Sequence, residues 1–169
     1  GVSDLHVHTS TRHRGQNAHR MLAKAGVCTA LDVGGPWDEF MQYCKAEGAG
    51  LNMACLQQVR EGLTVSSQEP SVQELRDLRD RSMEDGALGL KLLGGHYPLT
   101  PEASRRLIET ANEAQVYIMY HSGSTLTGSN IEGFRETVQL AKGLKLHIPH
   151  INSYCRGQKQ RSLDEITEA

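Results

Sequence analysis

The chain has 169 residues, 38% hydrophobic and 22% charged, with a formal net charge of -2 at pH 7. That length supports one substantial core, so one domain over 1–169 is expected. The balanced charge excludes the basic surface that a phosphate backbone selects, and no run nears the roughly 18 to 20 apolar residues of a membrane span. A small-molecule partner in the cytoplasm is expected, with neither nucleic acid nor membrane; Gly1-Val2-Ser3-Asp4 does not open a signal peptide.

The first apolar run, 2–8, carries His6 and His8. Two residues apart on a strand, both rings face the same way, near the strand's carboxyl end. His13 and His19 follow, expected in a loop and on a helix surface. The second run, 27–33, leads into Gly34-Gly35-Pro36, whose spacing fits neither nucleotide-binding glycine motif. A third run covers 51–57. Cys28 and Cys55 sit inside these runs and are expected as small buried hydrophobes; Cys44 and Cys155 complete four free thiols, Cys155 being left open in a polar loop.

Ser71 with Glu74 three residues on forms a capping box, and Asp85-Gly86 closes that helix. Leu75, Leu78 and Met83 form its apolar stripe, with Arg76, Asp77, Arg79 and Asp80 turned to water. The fourth run, 87–93, holds Lys91 in its far half, followed by His96 and Tyr97 in a loop. Thr100-Pro101-Glu102 then opens the next helix with proline in its first turn. The fifth run, 116–120, is followed by His121, and the sixth, 144–149, by His150. His147 points to the other face of that last run, a place for packing or support of a ligand. Asn152 and Arg156 lie in the loop beyond, as candidates to touch substrate, and a last helix is expected over 162–169.

Six alternations of strand and helix imply a parallel sheet with both faces covered, either a closed barrel or an open doubly wound sheet. Periodicity does not separate them; the histidines do. His6, His8, His121 and His150 all fall at the carboxyl ends of strands, which converge at one mouth in a parallel barrel. Four imidazoles there point to a divalent metal: zinc, or iron, nickel or manganese with carboxylate help. An ammonium on the Lys91 strand is costly to bury unpaired. Burial lowers its pKa, and a neutral amine can take up carbon dioxide as a carbamate ligand; alternatively the lysine reaches solvent or a carboxylate.

Together these residues resemble the amidohydrolase superfamily, in its dihydroorotase, hydantoinase and N-acyl-D-amino-acid deacylase branches. Asp4-Leu5-His6-Val7-His8 looks like the first-strand metal motif, 25–30 like the second strand, and 86–91 like the fourth strand with its carboxylated lysine. His121 and His150 match the ligands of strands five and six. The resemblance implies two metals, with His6 and His8 on one, His121 and His150 on the other, and modified Lys91 between them. Tyr97 matches a tyrosine that donates to the developing oxyanion, and His96, Asn152 and Arg156 would contact substrate, Arg156 meeting a carboxylate. The implied activity is hydrolysis of a nonpeptide C–N bond, in an N-acyl amino acid or a cyclic amide of hydantoin or dihydroorotate type. A noncatalytic scaffold derived from such enzymes, or a mononuclear deaminase of the superfamily, are the alternatives.

The resemblance also implies a gap. A complete barrel needs eight βα units, and the family's eighth-strand aspartate has no candidate here. The expected fold is therefore an incomplete TIM-like (β/α) barrel of about six units. It would be completed by the remainder of a longer chain or by a homo-oligomer, and such a fragment can be inactive alone.

Overall fold

A computed structural model describes residues 1–9 and 15–169; His13 lies outside them. Five strands, β1 (Val2–Val7), β2 (Val27–Asp32), β3 (Asn52–Val59), β4 (Gly89–Leu93) and β5 (Tyr117–His121), pair in sequence order, every neighbour parallel. Between them run α1 (Gly15–Lys24), α2 (Trp37–Glu47), α3 (Val72–Asp85) and α4 (Pro101–Glu113), followed by α5 (Ile131–Ala141) and α6 (Ser162–Glu168). The sheet curls into half a barrel, the incomplete TIM-like α/β architecture expected from the alternation. No helix among the described residues is long and apolar enough to cross a membrane.

The period-two alternation of the strands builds two layers. Leu90 and Leu92 on β4, Ile118 and Tyr120 on β5 and Val59 on β3 turn outward into the main core. There they pack on Leu75 and Leu78 of α3 and on Leu107 and Ile108 of α4. The intervening residues turn inward: Leu31, Val33, Leu56 and Met119 form a smaller apolar cluster. Lys91 is therefore committed to the concave side by the leucines that flank it.

Local chemistry sets the helix ends. Ser71 accepts from the Glu74 amide at 3.1 Å, and Gly86, at φ 103°, closes α3 in the left-handed region open to glycine. Thr100 accepts from the Ala103 amide, with Pro101 opening α4. Glu165 of α6 does more than finish a helix. Its buried carboxylate accepts from the amides of Gly157, Lys159 and Gln160 at 2.7, 3.0 and 3.1 Å, fixing the preceding loop.

Four expectations need correction. The run 144–149 forms no strand: it meets β5 through a single bridge, with the His147 amide donating to Ile118 and the Tyr120 amide donating to His147. The cause is competition, because the Asn112 side chain takes both the amide and the carbonyl of Lys145, at 2.9 and 3.0 Å. His19 is not on a helix surface but buried, its Nε2 3.0 Å from Thr9 Oγ1, whose hydroxyl and amide both donate to Asp32. Cys28 is exposed, since only the second half of β2 is covered. Met83 is only half-buried, and Ser82 takes the inward position on α3 by donating to the Leu78 carbonyl.

Candidate metal centre

A cavity of about 470 Å³ opens at the carboxyl ends of the strands, and its wall includes His6, His8, Lys91, His121 and His150 together with His96 and Tyr97. Each arrives by a different local device. His6 lies within β1, and His8 one residue past its end. Lys91 sits mid-strand on β4, opposite Gln58 of β3 and Met119 of β5. His121 is the last residue of β5. His150 follows Pro149 and takes φ 38° and ψ 60°, a left-handed conformation that costs a side-chain-bearing residue roughly 1–2 kcal/mol. This turn brings its ring back toward the other histidines.

The ring centroids of His6 and His8 are 5.4 Å apart, those of His6 and His150 5.0 Å, and those of His121 and His150 4.7 Å. A zinc ion about 2.0–2.1 Å from a ring nitrogen lies about 3.2 Å from the centroid, so tetrahedral neighbours have centroids about 5 Å apart. The spacing is that of imidazoles sharing an ion. Among the described residues no three His, Cys, Asp or Glu side chains form a set that could hold a metal.

Burial and nearby positive charge lower the pKa of His6, His121 and His150. Desolvation first, then Lys91 and the neighbouring histidines, lowers the pKa of His6 to about 4. Desolvation, then His150 and Lys91, lowers that of His121 to about 3. His150 is also lowered, chiefly by burial. Neutral imidazole is the form that binds metal, and these shifts favour it at His6, His121 and His150. Lys91 is fully buried, and desolvation alone drops its pKa from 10.5 to about 7.

Two polar atoms in this group are orphans. Lys91 Nζ and His150 Nδ1 are buried and have no hydrogen-bond partner in the structure. An unpartnered buried amine costs more than a lost hydrogen bond, so each of these nitrogens carries an unmet demand for a partner. His121 is better held. Its Nε2 lies 2.7 Å from Ser129 Oγ, which leaves Nδ1 for a ligand, and Gly95 permits this because a Cβ there would stand 2.6 Å from that same Nε2.

Of the residues expected at substrate, His96 and Tyr97 line the cavity, the His96 ring 5.9 Å from that of His121. Asn152 and Arg156 lie on the exposed loop outside the wall, Arg156 reaching only Ser153 at 3.4 Å. His147 bonds the Tyr117 hydroxyl and is exposed. Sequence reasoning missed Gln58, Arg60 and Ser153 in the wall, and Ser129 and Gly95 behind His121. For Arg60 the signal was available: β3 runs to Val59, not 57, which puts Arg60 at a strand's carboxyl end like the histidines.

The chain is thus a half-barrel of the TIM type with a nitrogen-rich cavity at the carboxyl ends of its strands. No family model matches it, and no curated protein does. Among solved structures it is similar to a D-hydantoinase, with TM-score 0.61 and 14% identity over 99% of this chain and 43% of that one. It is also similar to the carboxyl transferase domain of Rhizobium etli pyruvate carboxylase. The structure with pyruvate gives TM-score 0.51 and 15% identity over 96% of this chain and 31% of that one. The structure with 3-hydroxypyruvate gives 0.53 and 17% over 89% and 26%. Both are TIM-barrel enzymes. At these identities the likeness is one of fold, and the chain spans less than half of each of these proteins.

Proposed function

We propose that this chain carries the metal-ligating part of an amidohydrolase-superfamily enzyme that hydrolyses a nonpeptide C–N bond, in an N-acyl amino acid or a cyclic amide. One observation carries it: four imidazoles share a cavity wall with Lys91, a buried amine with no hydrogen-bond partner, and among the described residues that wall contains no carboxylate. Such a wall has bases to spare and lacks negative charge. Two divalent metals, zinc foremost, with a carbamate on Lys91, supply what the orphaned nitrogens lack.

His6 and His8 would hold one ion, His121 and His150 the other. The Lys91 amine, unprotonated in good part near neutral pH, attacks carbon dioxide; a C–N bond forms, a proton leaves to solvent, and the carbamate bears the negative charge. When bound, the metals supply a more acidic water and polarisation of the amide carbonyl. Tyr97, in the cavity wall, would donate its hydroxyl to the oxygen that gains charge, and Ser129 fixes the ring of His121.

A noncatalytic scaffold is the second reading, favoured by the absence of an aligned three-ligand set among the described residues. Metal analysis of the purified chain after dialysis against zinc, with mass measurement of Lys91 in bicarbonate, tests the proposal. Expected are about two bound ions per chain, fewer in His6→Ala and His121→Ala, and a 44 Da increment on Lys91 that acid removes. A chain without metal and without the increment is a scaffold.

A further inference from the structure

Arg60 is unlike most other arginines of the chain. Arg76, Arg79, Arg105, Arg106, Arg135 and Arg161 each meet a carboxylate. Among the described residues the Arg60 guanidinium forms no ion pair with an acidic side chain; its carbon stands 3.8 Å from the centroid of the Tyr97 ring. Stacking on an aromatic face holds the planar fork in place while leaving its N–H edge available. The Arg60 main chain is engaged by Thr64 and by the amides of Leu63 and Val65.

Arg60 and Tyr97 both belong to the wall of the 470 Å³ cavity. A smaller cavity of about 190 Å³ shares Gln58 and Arg60 with it, but Glu39 and Glu61 lie in that second wall. An anion is therefore drawn to the larger side, where Arg60 faces no competing carboxylate.

Position along the strand adds a length. Gln58 pairs with Lys91 in register, so Arg60 stands two residues further toward the mouth. At about 3.3 Å per residue this is a displacement of about 7 Å. A scissile carbonyl near Lys91 and a carboxylate three bonds away, with a hydrogen bond at the far end, span such a distance.

We infer that Arg60, braced on Tyr97, is the receptor for a carboxylate of the substrate. The substrate class is then acyl amides bearing an α-carboxylate, not neutral amides. This rests on the cavity being the substrate site of the proposed hydrolase, but it concerns binding and not turnover. The role that the sequence suggested for Arg156 passes to a residue inside the wall.

The test uses a pair of ligands that resist hydrolysis, N-methylsulfonylglycine and its neutral carboxamide, titrated calorimetrically into the chain. The acid is expected to bind more tightly than the carboxamide. Arg60→Gln is expected to weaken the acid on the order of 10- to 100-fold, the range of a charge-assisted hydrogen bond, and to leave the carboxamide unchanged. Arg60→Lys, which keeps the charge but not the fork, is expected to fall between, and covers the case in which Arg60→Gln does not fold. Equal binding of acid and carboxamide by the unmodified chain, or equal weakening of both in Arg60→Gln, overturns the assignment. Because neither ligand is cleaved and neither needs the Lys91 carbamate, a chain that takes up no metal and no carbon dioxide yet still prefers the acid sinks the hydrolase proposal and spares this one.

Discussion

Replacing Lys91 with methionine keeps the shape of the side chain and removes the amine. Lys91 is fully buried, without a partner, and its pKa falls from 10.5 to about 7. That drop corresponds to about 5 kcal/mol of differential proton affinity between unfolded and folded chain. The sign follows from linkage: between pH 7 and 10.5 the unfolded chain binds the proton more readily, so stability rises with pH across that window. The stability associated with Lys91 is fully present above 10.5 and is lost as pH falls through about 7. In metal-free, carbonate-free buffer, Lys91→Met is expected to be more stable than the parent at pH 6 by up to about 5 kcal/mol, and the gap to shrink by about 2.5 kcal/mol at pH 9. Urea unfolding of both proteins at several pH values measures it, the difference cancelling every other titrating group. A gap that does not change with pH, or a methionine variant less stable throughout, would refute the picture of an uncompensated buried amine. Excess zinc and bicarbonate should reverse the order, since ligands that bind only the folded parent stabilise it.

Gly95→Ala places a methyl group where 2.6 Å separates a Cβ from His121 Nε2, so the His121–Ser129 contact must give way. Zinc affinity by competition with a chelating dye should fall about 10-fold, the scale for disturbing the support of a metal ligand. Glu165→Gln should speed amide exchange at Gly157, Lys159 and Gln160, which the carboxylate now holds. Burial pushes the Glu165 pKa up, but these three amides and Arg135 outweigh it and hold it below the usual value. The contribution is therefore present above the ordinary glutamate range and lost as pH falls through the lowered one, and these loop amides should gain more exchange in acid than the amides of α6. Leu107→Ala opens a void in the main core and should cost about 2–5 kcal/mol in urea unfolding, with zinc stoichiometry unchanged.

How much of this could be read in the sequence depended on whether a feature is local. Strand ends are local: His6, His8, His121 and His150 could be placed at one mouth from apolar runs and the geometry of parallel strands, and the cavity holds all four. The caps at Ser71, Thr100 and Gly86 were equally legible. Pairing is not local. The run 144–149 has a strand's composition, but nothing in it tells that Asn112, 33 residues earlier, takes the hydrogen bonds of Lys145. His19 shows the same limit, since a polar side chain on a short helix reads as exposed unless Thr9, Asp32 and the rings of Phe40 and Tyr43 are known to surround it. Arg60 escaped because its strand was ended two residues early, which turned a wall residue into a loop residue.

The contact between His19 and Thr9 gives α1 a hold on the opening it does not touch. Thr9 adjoins His8 in the chain and is clasped by Asp32 from the neighbouring strand, so one short helix, two strand tips and a candidate ligand form a single mechanical linkage. Substitutions in α1 that shift His19 by a fraction of an ångström would retune the mouth from behind, leaving every residue that faces the solvent there unaltered.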